Sequence, residues 1–564
     1  MKNEIQNKEL SRKEKKKLDR YLKKQNKLNK KKLASNCEVE ESLNNIELTT
    51  CEIKSQNEDL NNIECKEESF TFNETSTNED DIAVECDNTY QNFSDKENIQ
   101  ISENEAINVD KQKELQNKKQ EKEKQRALRK REKSLRKQKA QELREIREQW
   151  YKLDNSALLY PAICNEEWNS VFRISAIMKE PVNKDKLQEA LDLTIDRFPF
   201  FNVSLRDGLF WNYFQALTEK PKVQEETENP CRPFVFKKNA HILRVLYYNT
   251  KISFEIFHSL SDGYGAIQFF NTLIITYLEI MGIEIKDKAE YGYNVYDKPT
   301  KEEGEDSFKR YARKDTVRSR VENKGYAIED ECLSRKQLKV FNCTTSVHEA
   351  KEVAKKYGIT LNEFLAAVYL NTLLEHKRLY GKNSKKPVKL SIPVNIRKHL
   401  PSKTMRNFAL VLNIEIPLDK EDATFEEIIE IVKNDMNSLN EEYVLGFIGK
   451  NVRSETNAFV RIIPLFIKKP IMRLVYSQVG EILFTSTLTN MGLNKLPSAV
   501  IDNIECYQTV LGATKLNRIN LAVISVGDTL TITISSRLKE NTVVKDFYKR
   551  LADFGLNLNL HSNV

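Results

Sequence analysis

The sequence predicts a two-lobed α/β (α+β) domain over residues 150–564, carried behind a long charged extension. Three observations predict it. Apolar residues become dense enough for a core only from about Trp150. Beyond that point, segments of helical and strand periodicity alternate along the chain. A charged, apolar-poor stretch at 286–335 divides two such series, so the natural division is a first lobe at 150–330 and a second at 331–564.

The extension is itself patchy. Residues 1–32 carry an excess of roughly ten positive charges, and 33–110 an excess of roughly eighteen negative ones. With few aromatics and little apolar surface to offset ordering entropy, 1–110 is expected to be largely disordered. Residues 111–149 swing back to roughly nine positive charges. They hold strong helix formers and no Gly or Pro, so a basic helix is expected there. Leu128, Leu135, Leu143, Ile146 and Trp150 give it a thin apolar seam of coiled-coil type. This arm reads either as a solvated helix or as a contact for nucleic acid or anionic membrane. The formal net charge of +7 sums these opposing blocks and excludes no class of partner.

In the folded part, "NKDKLQEALDLTIDRFP" has helical spacing and stops at a proline. "ILRVLYY", the turn "NTK" and "ISFEIFH" read as a β-hairpin, with a helix following from about Gly265. In the second series "QLKVFNC" is a strand, and "SVHEAKEVAKKYG" and "TLNEFLAAVYLNTLLEHKRLYG" are helices. "VKLSIPV", "NFALVLNIEI" and "EILFTSTL" are strands, "RINLAVISVGDTLTITISS" is a second hairpin, and "TVVKDFYKRLADFG" is a closing helix. The apolar stretch at 461–480 is interrupted by Lys468, Lys469 and Pro470, and reads as packed helical pieces rather than a membrane span. Nine scattered cysteines form no Cys-x-x-Cys pair, which points to reduced thiols in a cytoplasmic protein and to no metal site. The charged N-terminus carries no secretory pattern.

One local pattern resembles chemistry: "FHSLSDGYGA", with His258, Asp262 and Gly263. Strand alternation sets Ile252, Phe254, Ile256 and His258 on one face, so His258 ends an apolar row at a strand terminus. Such ends are where α/β proteins commonly place ligands. The residues leave two readings open. His258 is a general base or a satisfied core imidazole; Asp262 is part of a site or an N-cap; Gly263 serves a site or a turn.

"FHSLSDGYGA" resembles the active-site motif of the chloramphenicol acetyltransferase-like superfamily, which includes condensation domains and alcohol acetyltransferases. "YKLDNSALLYPA", "RFPFFNVSLRDGLFW", "LSIPVNIRKHLPSKTMRNFALVLNIEI" and "FTSTLTNMG" extend the resemblance over about 150–564. Bacterial alcohol acetyltransferase-like proteins are the most similar subgroup. The resemblance implies a two-lobed fold of that type and an acyl-CoA-dependent O-acyltransferase. It implies an acyl group moved from a CoA or carrier-protein thioester to a small alcohol, with acyl-CoA as co-substrate and no resident cofactor.

It further implies His258 as general base, a role that suits an imidazole whose ordinary pKa is near 6.5. Asp262 would pair with Arg397 to hold the loop, and Gly263 would leave room for the pantetheine arm. Ser486, Thr487 and Asn490 would be oxyanion or substrate contacts. Departures are plain. Phe257 stands where condensation domains usually carry a second histidine, and "TNMGLNKLP" replaces the Asp-Phe-Gly-Trp-Gly of plant relatives. The alternative is a catalytically silent condensation-like domain that binds a partner or carrier protein.

Overall fold

The computed structural model describes residues 95–564, apart from 166–167, 287, 292–293, 314–321, 335–336 and 382. The disorder expected of the tract before residue 95 lies outside the described residues. One helix runs Asp95–Glu148, beginning well before the expected start at 111. The cause is local: the segment contains no Gly or Pro. Along its basic half the apolar seam faces solvent, Leu128 and Leu135 included.

The chain divides into two units at 115/116, and every sheet among the described residues belongs to the second. Its five-stranded sheet has the order Ile504–Leu511, Val171–Met178, Lys251–Phe257, Leu243–Tyr248, Gln224–Glu225. The expected hairpin is there, turned at Asn249, whose φ of 48° suits asparagine. Helix Gly263–Ile280 lies on the Phe254 face of this sheet, with the Phe254 and Phe269 rings stacked at 4.8 Å. Helix Lys184–Arg197, capped by the Asn183 side chain, packs beside it.

A seven-stranded sheet forms the second layer system, in the order Ala409–Ile416, Val388–Asn395, Ser486–Leu493, Ile519–Val526, Thr529–Ser536, Lys339–Ser346, Asn559–Ser562. Helices Leu361–Tyr380 and Thr542–Asp553 share its core. A third, short sheet joins Trp150–Lys152, Asn212–Ala216 and Val203–Asp207.

Two segments cross the expected division at 330/331. Strand Ile504–Leu511 leaves the second lobe's half of the chain and pairs antiparallel with Val171–Met178 in the first sheet. Tyr507 and Val510 thereby enter the first core. A second crossing comes from residues 404–408, where Met405 also joins the first core. The strand expected at "EILFTSTL" begins only at Ser486, because residues 481–483 form a 3-10 turn.

The stretch expected to be packed helical pieces forms two helices, Ala458–Ile462 and Leu465–Val479, the second running through Pro470. Leu465 is buried, whereas Phe466, Ile471 and Leu474 are exposed. Among the described residues no helix is long and apolar enough to cross a membrane.

Candidate active site

The first-lobe strand Lys251–Phe257 delivers its last inward position to a tight turn at 258–262. The His258 backbone N–H donates to the Ser170 carbonyl at 2.8 Å, fixing the turn against the neighbouring strand. The imidazole stacks on Tyr160, with centroids 4.6 Å apart and planes at 23°, and Phe172 tilts against it at 5.0 Å. The residue as a whole is part-buried.

Its orientation comes from the other lobe. His258 Nδ1 lies 3.0 Å from Asn407 Oδ1. Asn407 Nδ2 donates to Asp154 Oδ2 at 3.1 Å and reaches the Ser259 carbonyl at 3.5 Å, so the amide oxygen must be the atom that meets the imidazole. Nδ1 then carries the proton, and Nε2 is left with its lone pair and makes no hydrogen bond to a described residue. Asp154 is buried and accepts from the Ala157 N–H at 2.8 Å and from the Asn407 N–H at 3.4 Å. Burial, reinforced by nearby Asp306, pushes the Asp154 carboxyl up to about 7 against the pull of Arg406. Burial also pushes the His258 imidazole below its ordinary value, while its own carbonyl, Asp262 and Asn407 oppose the shift. The neutral imidazole is therefore favoured at neutral pH.

Asp262 serves both of the roles the residues left open. Its Oδ1 accepts from the Gly265 N–H at 3.1 Å, capping helix Gly263–Ile280. Its Oδ2 accepts from Arg397 Nη1 at 2.8 Å and from the Phe408 N–H at 2.8 Å. Arg397 also donates to the carbonyls of Thr404, Arg406 and Phe408, and its guanidinium lies 4.4 Å over the Tyr264 ring. One carboxylate and one guanidinium thus clasp the His258 turn to residues 404–408.

The clasp leaves no room at Gly265. A Cβ there would stand 1.9 Å from the Met405 carbonyl oxygen and 2.3 Å from Ser261 Oγ. The Ser261 hydroxyl already donates to that carbonyl at 2.5 Å. A Cβ on Gly263 would meet only the flexible end of Met491, at 2.7 Å. Inside a helix, Gly→Ala normally stabilises by about 1 kcal/mol. Gly265→Ala is expected to do the reverse, costing about 1–3 kcal/mol through overpacking. Gly263→Ala should be nearly neutral. Paired urea melts of the two variants check the contrast.

The remaining sequence candidates lie on strand Ser486–Leu493. The Ser486 hydroxyl is buried, donates to the Ile519 carbonyl at 2.6 Å and meets the Tyr369 hydroxyl at 2.7 Å. Thr487 Oγ1 accepts from Asn517 Nδ2 at 2.8 Å. Asn490 donates to Asn362 at 2.9 Å and accepts from the Gly492 N–H at 2.8 Å, closing a turn in which Gly492 has a φ of 74°. The structure brings His258, Asp262, Gly263 and Arg397 into one cluster, whereas these three side chains are engaged with second-lobe partners. Of this strand, Met491 is the residue that reaches Gly263.

Sequence reasoning missed Asp154, Tyr160, Gly265 and Asn407. All four fall in segments already singled out: Asp154 and Tyr160 in "YKLDNSALLYPA", Gly265 in "FHSLSDGYGA" and Asn407 in "LSIPVNIRKHLPSKTMRNFALVLNIEI". Nothing in those segments marks their side chains as partners of His258.

Fold and site together define a two-lobed mixed α/β protein whose His-x-x-x-Asp-Gly turn is clasped between the lobes. No family model matches the chain, and no curated protein matches it. Among solved structures the chain is similar to polyketide synthase associated protein 5 from Mycobacterium tuberculosis, at 13% identity over 71% of this chain and 96% of that one, with a TM-score of 0.44. It is similar to a trichothecene 15-O-acetyltransferase from Fusarium sporotrichioides, at 12% identity over 72% of this chain and 94% of that one, with a TM-score of 0.45. A wax ester synthase/diacylglycerol acyltransferase from Marinobacter aquaeolei VT8 matches at 12% identity over 72% of this chain and 98% of that one, with a TM-score of 0.42.

Proposed function

We propose that the chain is an O-acyltransferase that moves an acyl group from a CoA or carrier-protein thioester to an alcohol, with His258 as general base. The observation that carries this reading is the hydrogen-bond chain Asp154–Asn407–His258, which presents a neutral imidazole whose Nε2 has no partner among the described residues, at the junction of the lobes. A histidine kept only for packing needs no such tautomer control.

The chemistry follows from that nitrogen. Nε2 takes the acceptor's hydroxyl proton as the oxygen attacks the thioester carbonyl carbon. A C–O bond forms and the C–S bond breaks. The imidazolium, its Nδ1–H held by Asn407, returns the proton to the leaving thiolate. The donor is a co-substrate, and no acyl-enzyme intermediate is required. Asp262 and Arg397 hold the turn and do not touch the reacting atoms.

The test is the pH dependence of acyl transfer, followed by thiol release. Because burial lowers the His258 pKa, kcat/KM should rise with pH through a midpoint below 6.5 and stay flat at neutrality. Asn407→Ala removes the acceptor that favours the imidazolium, so the midpoint should fall further. The rate should drop at least about tenfold as the tautomer loses its control. An unchanged midpoint in that variant contradicts the role given to Asn407. A profile governed by a group titrating well above 7 contradicts the role given to His258.

A further inference from the structure

A cavity of about 590 Å³ opens between strand Val203–Asp207, the loop at 236–238 and helix Leu465–Val479. Its volume is that of a small-molecule site. Arg206, Lys237, Lys238 and Lys469 line it against a single carboxylate, Asp207. That carboxylate is already paired, accepting from Lys469 Nζ at 2.8 and 2.9 Å. Among the described residues no carboxylate pairs with Arg206, Lys237 or Lys238. Two other large cavities mix their signs. One sets Glu226 and Glu228 beside Lys251 and Arg537, and another sets Glu322 and Glu415 beside Lys389.

The uncompensated cations stand on defined elements. Arg206 lies on a strand that pairs it with Tyr213. Lys237 and Lys238 follow Phe236, whose ring packs on Phe257 with centroids 4.9 Å apart. The Ala240 N–H donates to the Lys237 carbonyl at 3.1 Å, closing a turn in which Asn239 takes a φ of 65°. Cations gathered around one concavity focus a positive potential on what enters it. A planar guanidinium beside two ammonium groups is a donor set suited to phosphate.

Position ties the cavity to His258. Phe236 rests on Phe257, the residue before the histidine. Pro161 forms another part of the wall and follows Tyr160, which stacks on the imidazole. The wall is thus built on two neighbours of His258, Phe257 in the chain and Tyr160 in space.

We infer that this cavity is a phosphate subsite for one of the two substrates of the reaction at His258. The molecule that carries the phosphate rests on the acyl-transfer reading; the binding of phosphate does not.

The experiment is calorimetric titration of the full chain with inorganic pyrophosphate, repeated on the chain carrying Lys237→Glu and Lys238→Glu. Both lysines are exposed, so the thermal transition should stay in place. The wild type should bind, and the double charge reversal should weaken binding at least about tenfold. Two further pairs of titrations then find the source of the phosphate. CoA against pantetheine, the same thiol arm without phosphates, reports a phosphate on the donor. Glycerol 3-phosphate against glycerol reports one on the acceptor. In at least one pair the phosphorylated member should bind at least about tenfold more tightly, and the double variant should lose that preference. All of these read binding without turnover, so a chain that transfers no acyl group can still show the subsite. Three results overturn the inference: no pyrophosphate binding by the wild type; equal binding by the double variant, which would assign it to the basic arm; or no preference for phosphate in either pair.

Discussion

Arg397→Ala is expected to destabilise the folded chain by roughly 3–5 kcal/mol, the usual result of removing one partner from a buried ion pair. The Arg397 and Asp262 side chains are 7% and 6% exposed, so water does little to screen what is lost. The substitution strands the Asp262 carboxylate on two N–H groups, from Gly265 and Phe408. It also leaves the carbonyls of Thr404 and Arg406 without their guanidinium donor. Arg397→Lys should recover less than half of the loss, because a point charge cannot reach the carboxylate and the carbonyls together. Urea denaturation of the variants measures both. A cost below about 1 kcal/mol for Arg397→Ala would mean that the clasp holds without its ion pair.

His258→Ala is expected to lower acyl transfer by roughly 10²–10⁴-fold, the range that one general base supplies. The fold should survive, because the residue is only part-buried and, among the described residues, its side chain hydrogen-bonds to Asn407. Its neighbours Tyr160 and Phe172 are held by their own elements. The thermal midpoint should therefore move by only a few degrees. A variant that keeps a third or more of the activity would return His258 to the status of a packed ring.

Much of the site's local geometry was legible in the sequence. Alternation placed Phe254 and His258 on the same inward row, and the helix after the turn appears close to where its periodicity put it. The pairing of Asp262 with Arg397 came from resemblance, and the structure sets the two 2.8 Å apart. Other features depend on pairings that no local pattern encodes. Strand Ile504–Leu511 is not among the strands the sequence predicts, and its register runs against Val171–Met178 in the other lobe's sheet. Asp154 and Asn407 look like ordinary loop polars until the fold brings them to His258. Ser486 is a candidate through the resemblance alone. Whether it is free depends on Ile519 and Tyr369, which only the sheet and its covering helix determine. Lys468 and Lys469 suggested an interruption, but the helix turns them inward to the Phe210 carbonyl and Asp207.

The most direct measurement is acceptor-dependent thiol release. The full chain is incubated with a panel of acyl-CoAs, each with and without short and long alcohols, while free CoA thiol is monitored and the ester is identified by mass. The proposed chemistry predicts that at least one pair releases thiol in step with ester, that release needs the alcohol, and that His258→Ala suppresses both. Thiol release that ignores the alcohol, release that His258→Ala leaves intact, or silence across the panel from a folded chain would contradict it.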